Sequence, residues 1–144
     1  MRNPVQADII YREIQEQGVD ATPAGRDRLP RCQNLEGAIF ESLRLYPSLP
    51  TGGNRKTPAN KGITVAGVFI PSDTTVVAPR FCSSRREDCL AKPNKFVPER
   101  WTTQPEKVRN RSAFTPFGIG RALSMNDMML RTHYRKISYK FSGR

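Results

Sequence analysis

Apolar residues recur at helical spacing in the first segment, where Val5, Ile9, Ile10 and Ile14 fall along one side of a stretch running from Pro4 to Gln17. Pro4 suits a first helical turn, where its missing N–H costs nothing, and Gly18 suits a C-terminal stop; the pattern predicts an amphipathic helix. Residues 18–33 mix Gly18, Pro23, Gly25 and Pro30 with charges and read as a connecting loop. Asn34 is placed to cap a second helix, with Leu35, Ala38, Ile39, Leu43 and Tyr46 on its inward face and Pro47 preventing its continuation.

The period then changes from helical to alternating. Residues 47–61 are punctuated by Pro, Gly and Asn, and the run from Gly62 to Pro71 reads as a hairpin turning near Ala66-Gly67. Thr74 to Ala78 adds a third strand, giving a small antiparallel sheet. From Pro79 to Pro116 neither period is sustained, so side chains must hold that stretch in shape if it is ordered. A last helix is expected over about 127–136, then a short strand at Ile137 to Phe141.

Composition narrows this picture. The chain has 144 residues, enough for one modest core, but only 37% are apolar, while 12 prolines and 10 glycines favour a loop-rich segment over a helical bundle. Net charge is +11, with nine basic residues against one acidic, Asp127, from Lys107 onward. That asymmetry is compatible with nucleic acid, an acidic protein or an anionic membrane. Cys32, Cys82 and Cys89 show no CxxC spacing and the one histidine, His133, is remote from them in sequence, which argues against a zinc site. No apolar run has the length of a signal peptide or membrane span, so the chain reads as cytosol-compatible and without an anchor of its own.

Glu41-Ser-Leu-Arg44 places a carboxylate and a guanidinium three apart on the second helix. Alone it reads as a surface ion pair worth under about 1 kcal/mol. About fifty residues later comes Pro93-Asn-Lys-Phe-Val-Pro-Glu-Arg-Trp101, and the compound pattern is one that chance rarely supplies.

On these residues the chain resembles the cytochrome P450 family of haem-thiolate monooxygenases, nearest to fungal members. Asn3-Pro-Val-Gln with Tyr11-Arg-Glu-Ile, Leu45-Tyr-Pro-Ser-Leu-Pro, the Gly62 hairpin, Arg85-Arg-Glu-Asp and Phe114-Thr-Pro-Phe-Gly follow in the family's order. The resemblance implies a single partial domain over 1–144, an α+β piece of a mainly α fold with two to three helices, a small antiparallel sheet and a long meander. It implies that Glu41, Arg44 and Arg100 interlock to pin the meander. Arg55 stands where the family often binds a haem propionate, and the turn from Ser48 to Gly52 lines the substrate pocket in a complete protein. Haem, a small organic substrate and a flavoprotein reductase are the implied cofactor and partners. Full-length fungal-type relatives imply an intracellular, endoplasmic reticulum setting.

The family's haem loop reads Phe-Gly-x-Gly-x-Arg-x-Cys-x-Gly, and residues 117–126 here read Phe-Gly-Ile-Gly-Arg-Ala-Leu-Ser-Met-Asn. Phe117, Gly118 and Gly120 match; Arg121 is basic but one place early; Ala122, Ser124 and Asn126 replace the arginine, the ligand cysteine and the last glycine. Asp127 to Arg131 is also shorter than the family's link to its next Leu-Arg. Placing that gap earlier aligns Leu123-Ser124 beyond the ligand instead, and either frame leaves no cysteine there. Cys82 and Cys89 fall where the family's chain runs away from the iron, so they read as small buried hydrophobes or inert thiols, and His133 as a satisfied or exposed side chain.

The expected function is therefore that of a truncated, degenerate haem-dependent monooxygenase, inactive alone. The alternative is a basic module for an acidic partner or nucleic acid, motivated by Tyr134, Tyr139 and Phe141 among Arg135, Lys136 and Lys140. No nucleic acid is expected under the family reading. Wrapped in the family by haem and a helical core, the same scaffold here exposes apolar surface.

Overall fold

The computed structural model describes residues 3–116. The loop residues Phe117, Gly120, Arg121 and Ser124, His133 and the expected last helix and strand lie outside the described residues. Among the described residues, three α-helices precede four short consecutive strands, and a fourth helix and a series of 3-10 turns follow, an α+β arrangement.

Helix α1, Pro4–Glu16, begins with Pro4 in its first turn and ends at Gln17, whose N–H donates to the Glu13 carbonyl. Its apolar residues pack only partially: none is buried, and Val5 and Tyr11 are largely exposed. The expected loop after it contains a one-turn helix α2, Pro23–Arg26, capped by the Thr22 hydroxyl, which accepts from the Gly25 N–H, and a 3-10 turn at Leu29–Arg31.

Helix α3 spans Gln33–Leu45, and two expectations about it are corrected. Cys32 rather than Asn34 occupies the N-cap position, without a side-chain cap of its own. Asn34 lies inside the first turn because the exposed N–H groups there are satisfied from another helix, by Glu13 of α1. The buried face is Gly37, Glu41, Arg44 and Leu45, whereas Tyr46 is exposed. The apolar pattern misses that face because its two central residues are charged. Gly37 fits because a side chain would collide with the meander: a Cβ there would lie 2.8 Å from the Pro98 carbonyl oxygen.

The strands form two separate ribbons instead of one sheet. The hairpin pairs β2, Ile63–Val65, with β3, Val68–Ile70, in the register Val65 to Val68. Ala66 and Gly67 both have positive φ, the conformation a two-residue hairpin turn requires and one that glycine takes without strain. The third strand, β4 (Thr75–Val77), does not join this hairpin but pairs antiparallel with β1, Asn54–Lys56. Its partner falls in the stretch read as a punctuated turn, since three residues are too few to show alternation. The buried Thr57 hydroxyl fixes the junction, donating to the Pro71 carbonyl at 2.7 Å and accepting from the Thr74 N–H at 2.9 Å.

The core sits where α3 meets the irregular stretch after β4. That stretch holds α4, Arg80–Ser83, an isolated bridge between Leu90 and Val108, and a 3-10 turn at Pro98–Trp101 laid against α3. Cys32, Leu45, Cys89, Leu90 and Trp101 are its buried apolar members. The buried charged members are Glu41, Arg44 and Arg100.

Candidate functional site

The ion pair that the helix spacing offers is interior. Glu41 and Arg44 project from successive turns of one α3 face, and both side chains are 0% exposed where they meet. Arg44 binds the carboxylate two-pronged, with Nε donating to Oε2 at 2.9 Å and Nη2 to Oε1 at 2.8 Å. Its other N–H groups reach into the meander: Nη1 donates to the carbonyls of Ser84 and Pro93, and Nη2 to that of Lys95.

The Pro98–Trp101 turn brings the third member. Arg100 Nε donates to Glu41 Oε1 at 3.2 Å, and its Nη1 and Nη2 donate to the carbonyls of Ala91 and Lys92. The same turn offers Glu41 two further donors, the Val97 N–H to Oε1 and the Trp101 indole N–H to Oε2, both at 2.9 Å. One buried carboxylate thus serves two guanidiniums, leaving an excess positive charge that the carbonyls of residues 84 to 95 face with their negative ends. An unpaired buried charge is costly, so those carbonyls are held where the cations need them. The result is an irregular segment shaped by side chains where a ladder is lacking.

Electrostatics agree with the geometry. Burial pushes the Glu41 carboxyl up, but the Arg44 hydrogen bonds, the Val97 N–H and the two guanidinium charges outweigh it and hold the group below its ordinary range. Burial of Arg100 pulls its guanidinium down, with the adjacent Glu41 opposing.

Around this knot stands an aromatic cluster. Phe40 meets Trp101 edge-on at 6.0 Å and Phe114 at 5.9 Å, and Trp101 lies 4.4 Å from Phe114. Arg80 Nη1 donates to the Pro116 carbonyl at 3.3 Å, so both contacts fix the segment leading to Phe117. Arg85 stacks over Phe81 at 3.7 Å and donates to the Leu45 carbonyl at the end of α3. Sequence reasoning did not reach the Trp101 indole, the carbonyl acceptors or the Phe40–Phe114 contact; the Trp ending of the Pro-Glu-Arg-Trp block was the one visible signal for the first.

Arg55 sits apart, on β1 opposite Val76, and is exposed. The structure brings Glu41, Arg44 and Arg100 together and leaves Arg55 on another element. The three thiols are accounted for: Cys32 is buried at the start of α3, Cys89 is buried in the meander and Cys82 is exposed on α4. Of the two readings offered for these thiols, the buried one fits Cys89 and does not fit Cys82, because α4 is a single turn at the surface. None of the three stands in the 117–126 loop.

Comparison with known proteins gives this geometry its family. The cytochrome P450 family profile matches residues 1–122, so the chain belongs to the cytochrome P450 family. It is 34% identical to cytochrome P450 monooxygenase FCK2 of Fusarium pseudograminearum over 119 residues, 83% of this chain and 21% of the relative. It is 44% identical to tryprostatin B 6-hydroxylase of Aspergillus fumigatus over 94 residues, 65% of this chain and 17% of the relative. To tryprostatin B 6-hydroxylase of Neosartorya fischeri it is 34% identical over 152 positions, 99% of this chain and 27% of the relative. The chain thus spans about a quarter or less of the curated relatives it matches. Haem is the cofactor of the family, and no helix among the described residues is long and apolar enough to cross a membrane.

Proposed function

We propose that this chain is a scaffold-bearing part of a haem-dependent monooxygenase fold whose proximal haem site has degenerated, and that it has no thiolate-driven oxygenase activity of its own. The observation that carries the reading is the loop at 117–126, which has serine at the ligand position while all three cysteines of the chain lie elsewhere. A cysteine thiolate pushes electron density onto iron and favours cleavage of the O–O bond. A neutral serine hydroxyl is a hard, weak donor that stays protonated near neutrality, so the donor set does not fit the family's haem. This holds whatever lies upstream in a longer protein.

One feature of the comparisons supports the same reading: the family match ends at residue 122, two residues before Ser124. Arg55, Phe117, Gly120 and Arg121 are then remnants of the haem cradle, and Glu41, Arg44 and Arg100 are the part that still has its structural work. The oxygenase class rests on the monooxygenase and hydroxylase names of the relatives; an organic substrate and a flavoprotein reductase belong to that class. The test is a spectrum of the protein after haem addition, reduction and exposure to carbon monoxide. The expected result is no thiolate-type Soret band, and appearance of that band contradicts the reading.

A further inference from the structure

Among the described residues three hydroxyls follow an arginine by three places: Ser83 after Arg80, Thr103 after Arg100 and Ser112 after Arg109. An enzyme cleft lined with carboxylates reads such a pattern, because a guanidinium at a fixed distance from the hydroxyl pairs two-pronged with them. As sequence the three are equivalent, and the fold separates them.

Ser83 is half-buried on α4, its hydroxyl donates to the Arg80 carbonyl at 3.2 Å, and the Arg80 guanidinium is held by the Pro116 carbonyl. Thr103 is exposed but its arginine is not: Arg100 is 1% exposed and is engaged with Glu41 and the carbonyls of Ala91 and Lys92. At Ser112 both halves of the pattern lie on the surface. Arg109, Asn110, Arg111 and Ser112 are all exposed, and the Ser112 hydroxyl makes no hydrogen bond among the described residues. The turn that carries it is short. Asn110 Oδ1 accepts from the Ser112 N–H at 3.0 Å and the Asn110 carbonyl from the Ala113 N–H, while Phe114 beyond it is packed against Phe40 and Trp101. Residues 110–113 therefore extend by opening one turn, with the charged core left closed.

We propose that Ser112 is a phosphorylation site for an arginine-directed protein kinase with ATP as donor, and that the modification lowers the charge of the exposed tract ahead of the 117–126 loop. In the transfer the Ser112 hydroxyl oxygen bonds to the γ-phosphorus of ATP, the bond from that phosphorus to the β–γ bridging oxygen breaks, ADP leaves with the electron pair, and the hydroxyl proton passes to a carboxylate of the kinase. Lys107, Arg109 and Arg111 give residues 107–112 a charge of +3 with no acid among them. A phosphoserine carries about −2 at neutral pH, which brings that tract to about +1. The site does not depend on haem.

The test is a time course of the 144-residue protein with ATP and the catalytic subunit of cyclic-AMP-dependent protein kinase, with phosphate at each residue read by peptide mass spectrometry. Site-by-site reading keeps Ser112 apart from Ser124 and Ser138, which follow Arg121 and Arg135 by the same spacing outside the described residues. Ser112 should be modified at least about tenfold faster than Ser83 and Thr103, whose modification requires local unfolding. In Arg109→Ala the Ser112 rate should fall about tenfold or more, the effect of losing one charge-assisted pairing. A synthetic peptide of residues 106–116 reports on the sequence without the fold. Ser112 labelled no faster than Ser83 and Thr103 overturns the proposal, as does a rate indifferent to Arg109→Ala. A peptide modified while the folded protein is not shows that the turn shields the hydroxyl, and a peptide left unmodified shows that the pattern is not read; each also overturns it.

Discussion

The two ribbons and the meander reach order by opposite routes. The ribbons have regular backbone ladders yet bury little: of the strand residues of β2 and β3 only Ile70 is even partly covered, and Phe69 is 67% exposed. The meander has almost no ladder, a single bridge between Leu90 and Val108, yet it carries most of the buried side chains. Regular hydrogen bonding therefore does not mark the stable part of this chain. Stability is concentrated where one carboxylate and two guanidiniums satisfy a loop that has no other partners.

The sharpest way to break that contrast is to remove the anion. Glu41→Ala strands two buried cations, and the expected cost is about 3–5 kcal/mol by urea unfolding, the penalty for an uncompensated buried charge. Arg44→Lys comes next. An ammonium cannot span both carboxylate oxygens and three carbonyls, and losing charge-assisted bonds at a buried site costs roughly 2–3 kcal/mol in the same measurement.

A smaller effect follows from pH. The Glu41 carboxyl titrates lower in the folded protein than in the unfolded chain, so as pH falls the unfolded state takes up the proton first. This contribution is complete above the unfolded value of about 4.3 and is lost as pH falls through the folded one. Glu41→Gln should remove that part of the acid dependence of the unfolding midpoint, and an unchanged acid slope in the variant counts against the assignment. The smallest effect is on the other side of the contrast: Val68→Thr on the exposed hairpin should shift stability by no more than about 0.5 kcal/mol.

These differences explain what could be read from the residues alone. Helix α1 and the hairpin were legible because each follows a period of its own, Ile10 and Ile14 in one case and alternation around Ala66-Gly67 in the other. The partner of β4 was not, since Asn54-Arg-Lys56 is polar and short and follows two glycines, and what ties it down is the ladder to β4, the Lys56–Asp73 ion pair and the Thr57 hydroxyl. The buried face of α3 was hidden by its own chemistry: Glu41 and Arg44 carry charge, and charge reads as surface until a cation from residue 100 and carbonyls from residues 84 to 95 are brought to it. The pairing of motifs was visible as a pattern, but its acceptors are backbone groups that no residue type advertises. The Glu13 cap was invisible for the same reason, as it depends on where α1 lies against α3.

The central claim is that side-chain charges, without haem, hold the meander on α3. Trp101 is the chain's single tryptophan, it is 7% exposed, and its indole N–H donates to Glu41, so it reports on this site alone. Its fluorescence in the haem-free protein should be that of a buried indole and should shift to the water-exposed wavelength in one transition with urea, at a lower midpoint in Glu41→Ala. A water-exposed emission in the haem-free protein before any urea is added would contradict the account.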